Sequence, residues 1–305
     1  MQRFILERFL QMLIAVLAVS VIVFLLGRMS GDPLDILLPP EATQVDRDIA
    51  AAQLGLDKPL AVQYVSFVSH AMRGDFGNST RAAKPVTELI KERLPVTATF
   101  GLISMLVSLI IALPIGVYAA VKRGSAGDFM ARMIVVFGQS TPSFWLGLVL
   151  IYIFAVTLGW LPVGGIGGPK FYILPVITLA WHGASGIMRL TRSSMLDVLG
   201  TEYVKLARIK GVPELKVIWR HAFQNAMLPV ITYSAMLLVM LLGGTVIIET
   251  VFGLPGLGRL VVESVTSRDF PVVQTVVLLL SVMYIAANFL VDIMYTYVNP
   301  KIRYG

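Results

Sequence analysis

The chain has 305 residues, of which 56% are apolar and only 14% charged, and its formal net charge is +7. A soluble domain carries roughly 25% charged residues, so this composition excludes an ordinary water-soluble globule and points to the lipid bilayer. The chain holds no cysteine, which excludes disulfides, thiolate metal sites and cysteine nucleophiles.

The apolar residues come in uncharged blocks. The first covers residues 9–27, behind Arg3 and Arg8, and the others cover 94–121, 133–169, 171–188, 223–248 and 272–291. A helix needs roughly 20 apolar residues to cross a bilayer core. Lipid admits only helices or closed barrels, because no water is present to satisfy the backbone. The blocks predict an all-α membrane protein with about six transmembrane helices. The first block also has the shape of a secretory leader. It is expected to be a retained first span, being longer than an ordinary leader core. Arg28-Met29-Ser30-Gly31-Asp32-Pro33 follows it, not a small-x-small cleavage site.

Charge sets the orientation. With a cytoplasmic N-terminus, six spans put residues 1–8, 122–132, 189–222 and 292–305 inside, with 14 Lys/Arg against 6 Asp/Glu. The outside segments, 28–93, 158–170 and 249–271, hold 11 against 12. Only short loops count in this rule, and without the long first loop 3 basic residues remain outside against 14 inside. Both termini are therefore expected in the cytoplasm. The basic surplus is topological. No basic stripe interleaved with aromatics appears, so nucleic acid is not an expected partner.

The first outside loop is too long for bare coil. Thr43 is placed to cap a helix through Leu54 that Gly55 ends, and Pro59 opens a second helix, Leu60–Met72, with Val62, Val65, Phe67 and Val68 as its apolar stripe. Gly74-Asp75-Phe76-Gly77 is turn chemistry. Pro85 opens a third piece, 86–94, which Pro95 is expected to close. Two readings stand for these pieces: they cap the helix ends, or they help dock an outside partner.

In the third span, Gln139-Ser140-Thr141-Pro142-Ser143-Phe144 predicts a kink, because proline removes a backbone hydrogen bond. Polar residues in mid-membrane face a bundle interior or a water path, so Ser140 and Pro142 are candidates for a translocation route, with a kink healed by Ser/Thr side chains as the plain alternative. Asn288 in the last span is a third candidate. His182-Gly183-Ala184-Ser185-Gly186 in the fourth span holds a histidine and a serine three apart. No nucleophile elbow or nearby acid accompanies them, and Gly183 and Gly186 read better as close-packing positions. The spans hold almost no ionisable group, which disfavours a proton relay.

The basic inside loop runs through Glu202, Tyr203, Lys205, Leu206, Ala207, Arg208, Lys210 and Gly211. Tyr203, Leu206 and Ala207 fall at i, i+3, i+4, which predicts a short helix with one apolar face. Gly211 and Pro213 stop it. Such a helix fits a partner groove or lies on anionic lipid.

At this loop a family resemblance emerges. Arg189-x-Thr191-Arg192-Ser193-Ser194-Met195-Leu196, Ala207-Arg208-x-Lys210-Gly211 and His221-Ala222-x-x-Asn225-Ala226-x-x-Pro229 resemble the dipeptide/oligopeptide/nickel permease family of bacterial ABC importers. The likeness extends through Gly31-Asp32-Pro33, Leu54-Gly55-Leu56-Asp57-x-Pro59 and Gly74-Asp75-Phe76-Gly77 in the first outside loop. In the last it covers Glu249-x-Val251-Phe252-x-x-Pro255-Gly256-Leu257-Gly258-Arg259 and Arg268-Asp269-x-Pro271, and it closes on Asn288-x-x-x-Asp292 and Asn299-Pro300-x-Ile302-Arg303. The opening Gly-Asp-Pro loop is similar to that of the first of the family's two paired permeases.

The resemblance implies a type I ABC importer permease fold. It divides the chain into a tail and first span (1–28), a periplasmic loop with short helices (29–95) and a permease core (96–305) with a coupling loop at 189–225. It implies a second homologous permease, two ABC ATPase subunits, and a periplasmic or lipid-anchored substrate-binding protein, all at the bacterial inner membrane and in contact with its lipid. The general coupling pattern is Glu-Ala-Ala-x-x-x-Gly. Here Lys205-Leu206-Ala207 precede Gly211 and the glutamate is displaced to Glu202, which leaves open the side chain that makes the main ATPase contact. The chain has no phosphate-binding Gly-x-x-x-x-Gly-Lys-Ser/Thr loop, so no enzymatic role is expected of it, and ATP and Mg belong to the partner ATPases. Peptide import is the expected function. Nickel, glutathione or another small solute is the alternative cargo, and a hydrolase or passive channel a distant one.

Overall fold

The computed structural model describes residues 2–29, 34, 38, 39 and 41–298. Among them the regular elements are all helices, plus one isolated bridge between Asn78 and Pro85. The motifs Gly31-Asp32-Pro33 and Asn299-Pro300-x-Ile302-Arg303 lie outside the described residues. The chain divides into two compact units, Met1–Val96 with Gly256–Leu290 and Thr97–Pro255 with Val291–Gly305.

The first unit contains α1 (Gln2–Met29), α2 (Gln44–Leu54), α3 (Leu60–Met72), the opening turns of α4 (Val86–Val121), α10 (Leu257–Thr266) and most of α11 (Phe270–Val298). Helix α2 starts as its sequence predicts. The Thr43 hydroxyl accepts the Asp46 N–H while the Asp46 carboxylate accepts the Thr43 N–H, a reciprocal cap. The Thr43 hydroxyl also donates to the Asp46 carboxylate at 2.7 Å, and this bond, with that of the Thr43 N–H, holds the Asp46 carboxyl below the usual carboxylate range. Gly55 ends the helix at φ 65°, where a side chain is strained. Helix α3 turns only part of its expected stripe inward, Phe67 and Val68 being half-buried. Tyr64 and Phe67 turn toward α1, with ring centroids 5.6 and 5.8 Å from Phe24, and Tyr64 shares a 2.7 Å hydrogen bond with Ser20. Val62 and Val65 stay exposed. The larger aromatic pair at i, i+3 wins the contact because it buries more area per residue.

The core of this unit joins Val86, Leu89 and Ile90 of α4 to Leu257, Leu260, Val272 and Val276. Beside it, Asp269 is buried and receives the Ser79 hydroxyl and the Thr80 and Arg81 N–H groups. Ser79 in turn accepts the Ala82 N–H at 2.8 Å. One carboxylate thus holds the loop before α4. Asp269→Ala is expected to raise tryptic cleavage after the exposed Arg81 about tenfold, the factor carried by about 1.4 kcal/mol of lost charged hydrogen bonding; unchanged cleavage would contradict this role.

Pro95 does not close a helix. Helix α4 runs through it to Val121, although the boundary between the two units falls beside it, at 96/97. The bond Pro95 cannot return belongs to the carbonyl of Lys91, an exposed residue, and such a loss is tolerated in a long apolar helix.

The second unit is built around α7 (Lys170–Leu199). Against it lie the remainder of α4, α5 (Ala126–Ser140), α6 (Ser143–Leu150) with its π-helical continuation Ile151–Thr157, and α9 (Gln224–Val251). Helix α9 is entered without a break from the turn Glu214–Lys216 and the π-helical stretch Val217–Phe223. Four glycines allow these approaches. A Cβ on Gly183 would meet Ser108 and Leu237, on Gly186 the Tyr233 hydroxyl, on Gly138 the Ser185 side chain, and on Gly116 Thr191 and the Met188 carbonyl. This is the small-residue packing expected at 183 and 186. Phe100, Ile187, Met188, Met195 and Ile248 fill the core.

Among the described residues, five helices are long and apolar enough to cross a membrane: Ile5–Arg28, Val86–Val121, Lys170–Leu199, Glu214–Leu241 and Phe270–Ile293. A sixth arises if Ala126–Ser140 and Ser143–Thr157 count as one span, but these two meet at 106°. The expected kink is therefore a sharp break. The residue before a proline is pushed out of the α region, and Thr141 sits at φ −85°, ψ 121° with its hydroxyl on the Phe137 carbonyl at 2.6 Å.

Candidate functional site

The loop expected at 189–225 is narrower than its sequence suggests. Helix α7 continues to Leu199 because Leu190, Met195, Leu196 and Val198 still pack on the core, and helix resumes at Glu214. Between them stands one short helix, α8 (Glu202–Ile209).

Helix α8 is held by one apolar anchor and several polar ties. Val204 is fully buried, and it is the only buried residue of the helix. Gly211 adopts φ 73°, its N–H reaching the Arg208 carbonyl and the Val212 N–H the Ala207 carbonyl, a closing motif that needs glycine at this point. Arg208 forks onto Glu214 at 2.8 and 3.2 Å, and Lys205 pairs with Glu202 at 2.8 Å. The Tyr203 hydroxyl and the Asn225 amide both donate to the His221 carbonyl, at 3.4 and 2.7 Å.

The outward face differs from the expected one in a single position. Ala207 is half-buried, while Tyr203, Leu206 and Ile209 are 42%, 54% and 80% exposed. Ile209 escaped the sequence reading, although it continues the i, i+3 run of Tyr203 and Leu206 by one step. Glu202, Lys205 and Lys210 rim this patch. An apolar centre with a charged rim is the anatomy of a protein interface.

The other candidates are dispersed. Ser140 and Pro142 are exposed on either side of the break in the second unit, and Asn288 lies half-buried along α11 in the first. Ser185 is buried with its hydroxyl on the Trp181 carbonyl at 2.8 Å, while His182 is exposed. The serine is therefore engaged as a helix-internal donor instead of facing the histidine as a nucleophile.

Long apolar helices, a broken span and an apolar-faced short helix projecting between two of the long ones define the membrane-embedded subunit of a transport machine. The chain belongs to the family described as binding-protein-dependent transport system inner membrane component, whose model matches residues 112–304, with a companion model for the N-terminal region matching residues 1–101. It is 42% identical over 305 residues, the full length of both chains, to the glutathione transport system permease protein GsiC of Salmonella typhimurium (strain LT2). Identity is 41% over the same length to GsiC of Escherichia coli (strain K12). Among solved structures it is similar to the MetNI methionine ABC transporter in inward-facing conformations, with TM-score 0.59, 20% identity, and coverage of 69% of this chain and 96% of that one. An amino acid ABC transporter gives TM-score 0.53 at 17% identity, with 69% and 94% covered. These structures show the fold, that of a type I ABC importer permease. The chain is thus a multi-pass inner-membrane permease subunit of an ABC importer, which implies ATPase and substrate-binding partners.

Proposed function

We propose that this permease imports short peptides, glutathione among them, into the cytoplasm, paired with a second homologous permease, driven by two separate ATPase subunits and supplied by a periplasmic or lipid-anchored binding protein. The end-to-end likeness to GsiC supports the cargo reading: glutathione, the alternative cargo of the sequence reading, is itself a tripeptide, so one route for short peptides would serve both. In this reading the face of Tyr203, Leu206 and Ile209 sits in a groove of the ATPase, on the cytoplasmic side by the charge rule. ATP and Mg are held by that partner, and ATP-driven closure moves α8. The bundle then exchanges between two states that ligands at both ends bias.

The reading is tested by uptake into proteoliposomes holding the complete complex and its binding protein. ATP-dependent accumulation of labelled glutathione, competed by short peptides and not by nickel ion, is the expected result. Accumulation of nickel alone, or entry of glutathione without ATP, would overturn it.

A further inference from the structure

Beside the coupling loop lies a charge cluster that the transport reading does not use. Asp128, in the first turn of α5, is 1% exposed. Arg192 of α7 grips it with two parallel bonds, Nε to Oδ1 at 2.6 Å and Nη2 to Oδ2 at 2.9 Å. The Gly124 N–H donates to Oδ2 at 3.0 Å, Arg132 stands 3.7 Å from Oδ1, and the Asp128 N–H rests on the Ser125 hydroxyl at 3.3 Å. Both carboxylate oxygens are therefore fixed by two elements at once.

A buried ion pair is weak evidence for stability, since apolar residues of similar volume do as well or better. What it adds is geometry: a bidentate fork permits one register, whereas an apolar contact lets two helices slide. Helices α5 and α7 also meet at a second point, where Gly138 admits the Ser185 side chain. The two helices are joined twice, near the start of α5 at Asp128 and near its end at Gly138. Arg192 lies seven residues before the end of α7, beyond which α8 begins, and Gly138 lies just before the break at Thr141 and Pro142.

We infer that Asp128 and Arg192 are positioning residues that make α5 follow α7, so that a displacement of α8 reaches the broken span. The inference rests on the reading of α8 as the ATPase contact. Without the pair, α8 and α7 still move with the ATPase, while α5 and the break lag behind.

The test uses the complete complex in proteoliposomes, with Asp128→Asn and separately the double variant Asp128→Cys/Arg192→Cys. In Asp128→Asn the new amide nitrogen sets a donor against either Arg192 or the Gly124 N–H. The chain has no cysteine of its own, so the double variant carries its only thiols, and a bis-thiosulfonate spacer can rebuild the link covalently. Both variants are expected to hydrolyse ATP within about twofold of the wild type while moving about tenfold less cargo per ATP, the scale of an ordinary coupling energy. Cross-linking restores the ratio in the double variant. Hydrogen exchange on the same samples is expected to speed up across α5 and not across α9. Uptake and hydrolysis falling in the same proportion, an unchanged ratio, or unchanged exchange across α5 would each overturn the inference. Failure of the importer reading is told apart by the wild type, which would then move no cargo while the exchange comparison still reports on the link.

Discussion

Ile209→Asp is expected to strip the ATPase from the purified complex while leaving the permease monodisperse and as heat-stable as the wild type. Ile209 is 80% exposed, so a charge there meets water and costs the fold within about 0.5 kcal/mol. At the centre of an interface the same charge is buried unpaired, and loss of a central anchor costs about 2 kcal/mol or more, roughly a thirtyfold weaker association. Leu206→Asp is expected to act alike. Val204→Asp is different in kind, since Val204 is fully buried and the charge would dislodge α8 itself. Pull-down of the ATPase with tagged permease reads the result. If α8 instead lies on anionic lipid, Ile209→Asp leaves the ATPase bound, and the docking account of this face fails.

Gly186→Leu is expected to have the largest effect on stability. A Cβ at Gly186 would run into the Tyr233 hydroxyl of α9, at the contact between α7 and α9. Helices in lipid associate through close packing and not through a hydrophobic drive, so separating these two removes much of what holds the unit. Overpacking of a filled site costs about 1–3 kcal/mol, and a whole leucine side chain falls at or above the top of that range. The measurement is the thermal midpoint in detergent, with Gly168→Ala as the control because a Cβ there meets nothing within 4 Å. Equal midpoints for the two variants would mean that α7 and α9 are not packed as described.

The features legible in the sequence were those decided within a few residues. The Thr43 cap, the Gly55 stop and the start after Pro59 all rest on local hydrogen bonding or a fixed φ, and the structure places them where composition and spacing did. The membrane blocks were legible for the same reason, since length and lack of charge are local. Where a tertiary contact decides, the sequence misled. Pro95 looked like a terminator, but α4 continues through it. Helix α7 outlasts its apolar block because Leu196 and Val198 find the core. Proline announced the bend at Thr141, but nothing in the sequence set it at 106°.

The site was half legible. Helix α8 and its glycine stop follow from spacing. Which of its faces is free depends on the burial of Val204, which turned Ala207 inward and left Ile209 outside. Arg192 stood inside a recognised motif, yet its partner Asp128 lies 64 residues away, beyond any periodicity. The same holds for Ser79 and Asp269, which are 190 residues apart.

The most direct test of the account is ATP hydrolysis by the complete complex in nanodiscs, measured with and without its binding protein and glutathione. Hydrolysis is expected to rise when the loaded binding protein is added, and nanodiscs carrying the Ile209→Asp permease, having shed the ATPase, are expected to show no such rise. Hydrolysis that ignores the loaded binding protein, or that responds to it equally in the variant, would contradict the claim that this permease couples an ATPase to cargo through α8.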